Sequence, residues 1–336
     1  MWVPLASITL SAGFLAGCSG AAAGAPVTVA LTPQPTSASA AFPMPITDLA
    51  SASTSPMVKS AGAGLLSSAD LADFQRRFGS SAEVALVGLH GGPPDVVGDT
   101  RTPYSWSTAK VLVVATLLRQ AHGPAGLDEQ QRADVTAALS ASDNDAVAEL
   151  VDGLSGPDVN LDTALAAVTG TLRASGDTST TATATDDYSI GETVWPLANQ
   201  AEFLAAVTRG CVLDEASRDY LLAEMGGVIP EQRWGLGQAG ALAFKGGWDI
   251  DDEDLAYVRQ VGLMQAPDGN HCVAAISARV PQTSAPKAQS FDEAMAADQS
   301  ELDDSEYQFA DAKRRADEVA TWVVQHVHTA PPATPC

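Results

Sequence analysis

Lysine is scarce in this 336-residue chain, where it occurs only as Lys59, Lys110, Lys245, Lys287 and Lys313. Two of the five stand inside short polar motifs. Lys110 closes Ser107-Thr108-Ala109-Lys110, Lys245 opens Lys245-Gly246-Gly247, and Ser142-Asp143-Asn144 lies between them. Lys110 also heads the run Val111, Leu112, Val113, Val114 and Leu117, which leaves no polar face, so residues 107–120 read as a buried helix. Such a helix must be enclosed by other elements, and it carries a lysine into the interior with it.

Three residues apart on a helix, Ser107 and Lys110 share one face. A serine hydroxyl is a weak nucleophile and needs an adjacent base. Lysine serves only when neutral, and its free pKa is about 10.4. Burial, a second cation and a helix N-terminus all lower that value, and Lys245 is the available second cation. Asn144 is then a donor to a substrate carbonyl, and Ser142 a path for a proton. Gly247 lets a substrate backbone approach the strand that Lys245 ends, and the main-chain N–H groups of Ser107 and Trp248 make an oxyanion hole. Each motif also has a plainer reading: Ser107 as an N-cap with a snorkelling Lys110, Ser142-Asp143-Asn144 as the cap of a helix, and Gly246-Gly247 as a strand-end bulge. The order of the three, in so lysine-poor a chain, favours the chemical reading of the set.

Ser-x-x-Lys, Ser-Asp-Asn and Lys-x-Gly in that order form the signature of the serine β-lactamases and penicillin-binding proteins. From about Ser68 onward the chain resembles the class A serine β-lactamases, most closely at residues 135–154 (VTAALSASDNDAVAELVDGL). The resemblance implies Ser107 as the acylated nucleophile, Lys110 as base, Ser142 as proton shuttle and Lys245 as the anion-binding cation, with Asn144, Gly247 and Trp248 at the substrate. Three departures accompany it. The stretch from Ser107 to Ser142 is shorter than in class A enzymes. Gly246 stands where the family has Ser or Thr, leaving Arg259 on the next strand as a substitute charge. The Glu-x-x-Leu-Asn loop that carries the deacylating glutamate is absent from residues 176–196, where Asp186, Asp187 and Glu192 are the remaining carboxylate candidates.

The chain's beginning suggests export. Residues 5–15 are apolar but too short to span a bilayer, and Leu15-Ala16-Gly17-Cys18 resembles a bacterial lipobox, although residues 1–5 lack basic side chains. The reading is a signal peptide over 1–17, a lipidated Cys18, and an Ala/Pro/Ser tether over 18–62. A hydrolase-like domain follows over 63–330, with a tail over 331–336. This arrangement resembles the β-lactamase-like lipoproteins of actinobacteria and puts the protein on the outer face of the cell membrane, held by lipid alone. A net charge of −23 argues against nucleic acid or anionic membrane as partners. An oxidising compartment permits one disulfide among Cys211, Cys272 and Cys336; Cys211 with Cys272 is the favoured pair, though spacing does not fix it. The five histidines show no metal-ligand spacing, no nucleotide fingerprint appears, and neither metal nor cofactor is expected. His326 and His328 read as part of a solvated end.

Patterning predicts a capped helix from Ser68, strands over 83–90 and 95–99, and helices at 107–120, within 127–154, and over 195–209 and 215–225. Strands at 241–244, 258–264 and 272–280 and a closing helix over 308–326 follow, with an acidic excursion at 292–306. This order implies an α+β fold, an antiparallel sheet assembled from both chain ends with a helical insertion, as in the β-lactamase/DD-peptidase-like fold. Two functions fit. One is a serine hydrolase acting on a peptidoglycan-derived or β-lactam-like molecule through an acyl-enzyme, with weak β-lactam turnover. The other is a catalytically impaired lipoprotein that binds cell wall or protein.

Overall fold

The computed structural model describes residues 64–101, 104–156, 160–184, 189–283 and 307–336, all within one unit, Ser53–Cys336. The apolar start, Cys18, the tether up to residue 62, Asp186, Asp187 and the acidic stretch 292–306 lie outside the described residues.

Strands β1 (Ala82–Gly88), β2 (Asp95–Gly98), β3 (Ala243–Ile250), β4 (Leu255–Gln265) and β5 (His271–Pro281) form one sheet in the order β2-β1-β5-β4-β3. Every neighbouring pair is antiparallel. The two chain ends meet where β1 pairs with β5, from Ala82 opposite Ala278 to Gly88 opposite Cys272. Eight α-helices occur among the described residues: α1 (Ser68–Phe78), α2 (Lys110–Gln120), α3 (Glu129–Ser140), α4 (Asn144–Leu154), α5 (Leu161–Ser175), α6 (Leu197–Thr208), α7 (Glu215–Gly226) and α8 (Ala310–His326). The fold is therefore the expected α+β arrangement, with the helical insertion between β2 and β3.

Because side chains alternate along a strand, the sheet builds two cores. Ala85 and Val87 of β1 with Val273 and Ala275 of β5 pack against the insertion. Val84 and Leu86 with Ala274 and Ile276 pack against the terminal helices, where Phe74 of α1 meets Trp322 of α8 edge-on at 4.9 Å. Helix α2 runs through the first core, buried from Lys110 to Leu118 without interruption, as its lack of a polar face requires.

Several boundaries differ from the sequence reading. Ser67, not Ser68, caps α1, exchanging hydrogen bonds with Asp70 in a capping box. Helix α5 was not expected, although Asn160 caps its start and Gly176 ends it in the left-handed region. Strand β3 extends to Ile250, so the Lys245 motif lies within it rather than after it. His326 is the last residue of α8 and stacks on Trp322 at 4.2 Å, so it is not part of a solvated end.

The expected Cys211–Cys272 disulfide is corrected. Cys211 bonds to Cys336, and Cys272 is free and buried. The physical reason is the sheet. Cys272 points into the terminal-helix core while Cys211 packs against the insertion core, so the two thiols are on opposite faces. Burial pushes the Cys272 thiol up to about 12, which leaves it unreactive. Residues 331–336 are not a loose tail: Thr334 N donates to Leu89 O at 2.8 Å, and Arg209 Nε donates to Thr334 O at 2.8 Å. The bridge spans 125 residues; disulfides typically contribute about 2–4 kcal/mol, and a loop this long lies at the upper end of that range or above it. Cys336→Ser should lower the urea unfolding free energy by about that amount. An unfolding curve that does not move under non-reducing conditions refutes a stabilising bridge.

Candidate active site

Ser107 does not lie in α2. It lies in a 3-10 turn, Trp106–Ala109, that feeds the helix, with Lys110 N donating to Ser107 O and Thr108 O. Side chains three apart eclipse in a 3-10 turn, so Ser107 and Lys110 still share one side. The turn is fastened from several directions. Ser105 N donates to Thr193 O at 2.9 Å, Ser105 Oγ to Gly191 O at 3.0 Å, and Gln200 Nε2 to Thr108 Oγ1 at 2.8 Å. Trp106, just before Ser107, has φ of 41°, the left-handed region that a bulky residue adopts only when its surroundings hold it there.

Ser142 lies between α3 and α4, also left-handed at φ 64°. Its hydroxyl accepts from two amines: Lys245 Nζ at 2.9 Å and Lys110 Nζ at 3.4 Å. Lys110 Nζ further donates to Asn144 Oδ1 at 2.7 Å and to Ser142 O, and Lys245 Nζ to Gly246 O at 2.9 Å. Asp143 caps α4, accepting from Ala146 N at 2.8 Å. The plain cap reading of this motif holds in Asp143, which fixes the turn, while Ser142 and Asn144 accept from the lysines.

Both lysines are buried, and among the described residues no carboxylate lies within ion-pair distance of either amine. Burial disfavours the charged form. It lowers Lys110 to about 8, against a smaller opposing pull from Asp143. Lys245 is 0% exposed, and burial followed by the neighbouring Lys110 charge drives its pKa well down.

Ser107, Lys110 and Asn144 open onto one cavity of about 450 Å³. Its other walls are the aromatic rings of Tyr104, Trp106 and Trp248, the turn around Ile190–Glu192, and residues 249–252 at the end of β3 and the start of the β3–β4 connection. Of the deacylation candidates, Glu192 is on this wall.

Gly247 has a different reason from the one the sequence suggested. A Cβ there would stand 2.9 Å from Ser107 N and 3.1 Å from Ser105 O and from Thr108 N, so the bare glycine seats the Ser107 turn against β3. At Gly246 a Cβ would meet the Trp234 ring at 3.2 Å, so an aromatic edge borders the place of the expected hydroxyl. The expectation that Arg259 offers its charge to substrate is corrected. It is 1% exposed and does not line the cavity. Its guanidinium donates to Trp195 O at 2.9 Å and to Tyr104 O, tying together two segments that also pair through Tyr104 and Val194. Lys245 also stands behind the wall, reaching the site through Ser142. The sequence reading missed Tyr104, Asp249 and Asp252 as lining residues; their only signal was position, beside the Ser107 motif and just after the Lys245 motif.

No protein-family profile and no curated protein sequence matches the chain. Solved structures do. The TLA-3 extended-spectrum β-lactamase is similar with a TM-score of 0.53 at 14% identity, covering 78% of this chain and 98% of that one. The TLA-1 extended-spectrum β-lactamase gives 0.53 at 15% over the same shares. A β-lactamase from Burkholderia vietnamiensis gives 0.51 at 21%, covering 76% and 95%. At such identities the likeness establishes a shared fold.

The two glycines of β3 separate by experiment. Gly247→Ala meets backbone and should lose about 1–3 kcal/mol of stability, while Gly246→Ala meets a ring edge that can shift and should lose less. Urea unfolding of the two variants side by side checks the order, and equal losses contradict the tight seating at Gly247.

Proposed function

We propose that the protein is an exported serine hydrolase that cleaves an amide, lactam or ester through an acyl-enzyme on Ser107. One observation carries this reading: the Ser142 hydroxyl bridges two buried lysine amines, one of them held near pKa 8 on the same cavity wall as Ser107. The shared fold with β-lactamases supports the class of chemistry, and the lipobox-like string ending at Cys18 supports export and anchoring outside the cell.

The step balances as follows. Neutral Lys110 Nζ takes the Ser107 Oγ proton as the Oγ–C bond forms at the substrate carbonyl. The carbonyl electron pair moves onto oxygen, where the Ser107 and Trp248 N–H groups stabilise it; such a donor is typically worth about 10²–10³ in rate. Collapse re-forms the C=O and breaks the bond to the leaving nitrogen or oxygen. That atom receives a proton from Ser142 Oγ, which is replenished from Lys110. Water then cleaves the ester, returning the acyl group as an acid and Ser107 as a hydroxyl. With no Glu-x-x-Leu-Asn loop, Glu192 is the one of the three loop candidates that lines the cavity among the described residues, and β-lactam turnover is expected to be slow. The alternative, a catalytically impaired binding module, draws on Gly246 and the Trp234 ring beside it.

Intact mass of the folded part after incubation with a penicillin tests the reading. The expected result is a long-lived adduct of one drug per chain that Ser107→Ala abolishes. A wild type that gains no mass from either the drug or an activated ester favours the binding module.

Acylation should also depend on pH in one direction. The neutral fraction of Lys110 rises as pH passes about 8, so the acylation rate constant should climb through that value and level above it. Lys110→Arg, which keeps a proton at every accessible pH, should lose both the rate and this limb. A wild-type rate that is flat from pH 6.5 to 9 excludes Lys110 as the base.

A further inference from the structure

We infer that the cleft selects acyl substrates carrying a cationic group near the scissile carbonyl and disfavours those carrying a carboxylate there, with Asp249 and Asp252 as specificity-determining residues; this rests on the acyl-transfer reading of Ser107. Among the described residues, each basic group near the cleft is already engaged. Lys245 is completely buried and donates to Ser142 Oγ and Gly246 O rather than into the cavity. Arg259 is buried against the carbonyls of Tyr104 and Trp195. Gly246 has no hydroxyl, and the Trp234 ring stands where a side chain would extend. Among the described lining residues Lys110 is the single basic group, and its amine is engaged by Ser142 and Asn144.

The opposite wall carries the other sign. Glu192, Asp249 and Asp252 line the same cavity and are exposed. Asp251, between the last two, is excluded from the proposal because Arg279 neutralises it, with its carboxylate also holding Glu253 N at 2.9 Å and Leu255 N at 3.0 Å. The chain's net charge of −23 adds a long-range field of the same sign. Aromatic faces complete a cation's environment, since a ring face attracts a positive charge. The Trp248 ring does so already, with Lys313 Nζ 6.0 Å from its centroid. Among the described residues, a substrate carboxylate entering this cleft meets three carboxylates without an ion-pair partner and no free cation on the lining, whereas an ammonium or guanidinium meets carboxylates and rings.

The test uses matched p-nitrophenyl esters whose acyl chains end in a trimethylammonium, a tert-butyl or a carboxylate group. On the wild type at low salt, kcat/KM should favour the trimethylammonium ester over the carboxylate ester by about tenfold or more. That ratio should shrink with added sodium chloride and fall to about two- to threefold in Asp249→Asn/Asp252→Asn, whose urea unfolding midpoint verifies that it is folded. Ser107-dependent hydrolysis with no charge preference, or with the carboxylate ester preferred, overturns the selectivity and leaves acyl transfer standing. Hydrolysis equal in wild type and Ser107→Ala overturns the acyl-transfer reading instead. A binding measurement on Ser107→Ala, free of chemistry, closes the remaining gap. Phenyltrimethylammonium should quench tryptophan fluorescence at lower concentration than benzoate does, and the reverse order refutes the proposal whatever the esters show.

Discussion

Two amines are taken out of water and set on one hydroxyl oxygen, and the site is built around that arrangement. A buried ammonium is costly unless a counter-charge answers it. Among the described residues none stands within ion-pair distance of Lys110 or Lys245. What answers them instead are neutral acceptors: Ser142 Oγ, Asn144 Oδ1 and the carbonyls of Ser142 and Gly246. Burial therefore lowers Lys110 to about 8 against the smaller opposing pull of Asp143, and the neutral acceptors around the amine bring no counter-charge of their own. A carboxylate at hydrogen-bond distance would raise that value and remove the base. The left-handed turn at Ser142 follows from the same need, since it presents hydroxyl and carbonyl to one amine while Asp143 turns away to cap α4.

That chemistry also requires the serine to be brought to the lysines, and this depends on the edge of the sheet. β3 pairs on one side only, with β4. The Ser107 turn lies against it at Gly247, too close for any Cβ. Next to Gly247 on β4, its register partner Arg259 ties Tyr104 to Trp195, and Ser105 holds Thr193 and Gly191. The strained φ at Trp106 is thus fixed from both flanks. The buried arginine positions the segment that leads to Ser107, and this is why the charge on β4 never reaches the cleft.

Much of this was legible in sequence because it rests on local chemistry. The three motifs, the polar-face-free α2 and the strand-helices-strand order imply the sheet and the meeting of Ser107, Lys110, Ser142 and Lys245. What was not legible depends on which face of the sheet a side chain takes. Cys211 and Cys272 look like natural partners in sequence, yet the sheet separates them and Cys211 meets Cys336 instead. Arg259 looked like a spare cation on a strand beside the site; it takes the same face as its register partner Gly247, but its guanidinium is buried and spent on the carbonyls of Tyr104 and Trp195. Gly247 was correctly read as a close approach, while the partner that approaches is the protein's own turn. Helix α5 had its signals in Asn160 and Gly176, and its alternation of Ala, Thr and Gly with leucines concealed them.

The departures from the β-lactamase pattern are coupled. Gly246, the buried Arg259 and the Trp234 ring each reduce what a substrate anion finds in the cleft, while Glu192, Asp249 and Asp252 raise the penalty for entering. Losing only the hydroxyl would weaken anion binding by about 1.5–3 kcal/mol and leave the field's sign unchanged. Placing carboxylates on the wall as well reverses that sign, which a site retained for anionic substrates has no reason to do. On the proposed reading, acyl transfer needs no substrate charge, because Ser107, Lys110 and Ser142 would act at the carbonyl and the leaving atom. Its geometry can therefore persist while the wall above it changes which molecules arrive. The same wall bears on turnover, since Glu192, the deacylation candidate that lines the cavity, is also one of its exposed carboxylates.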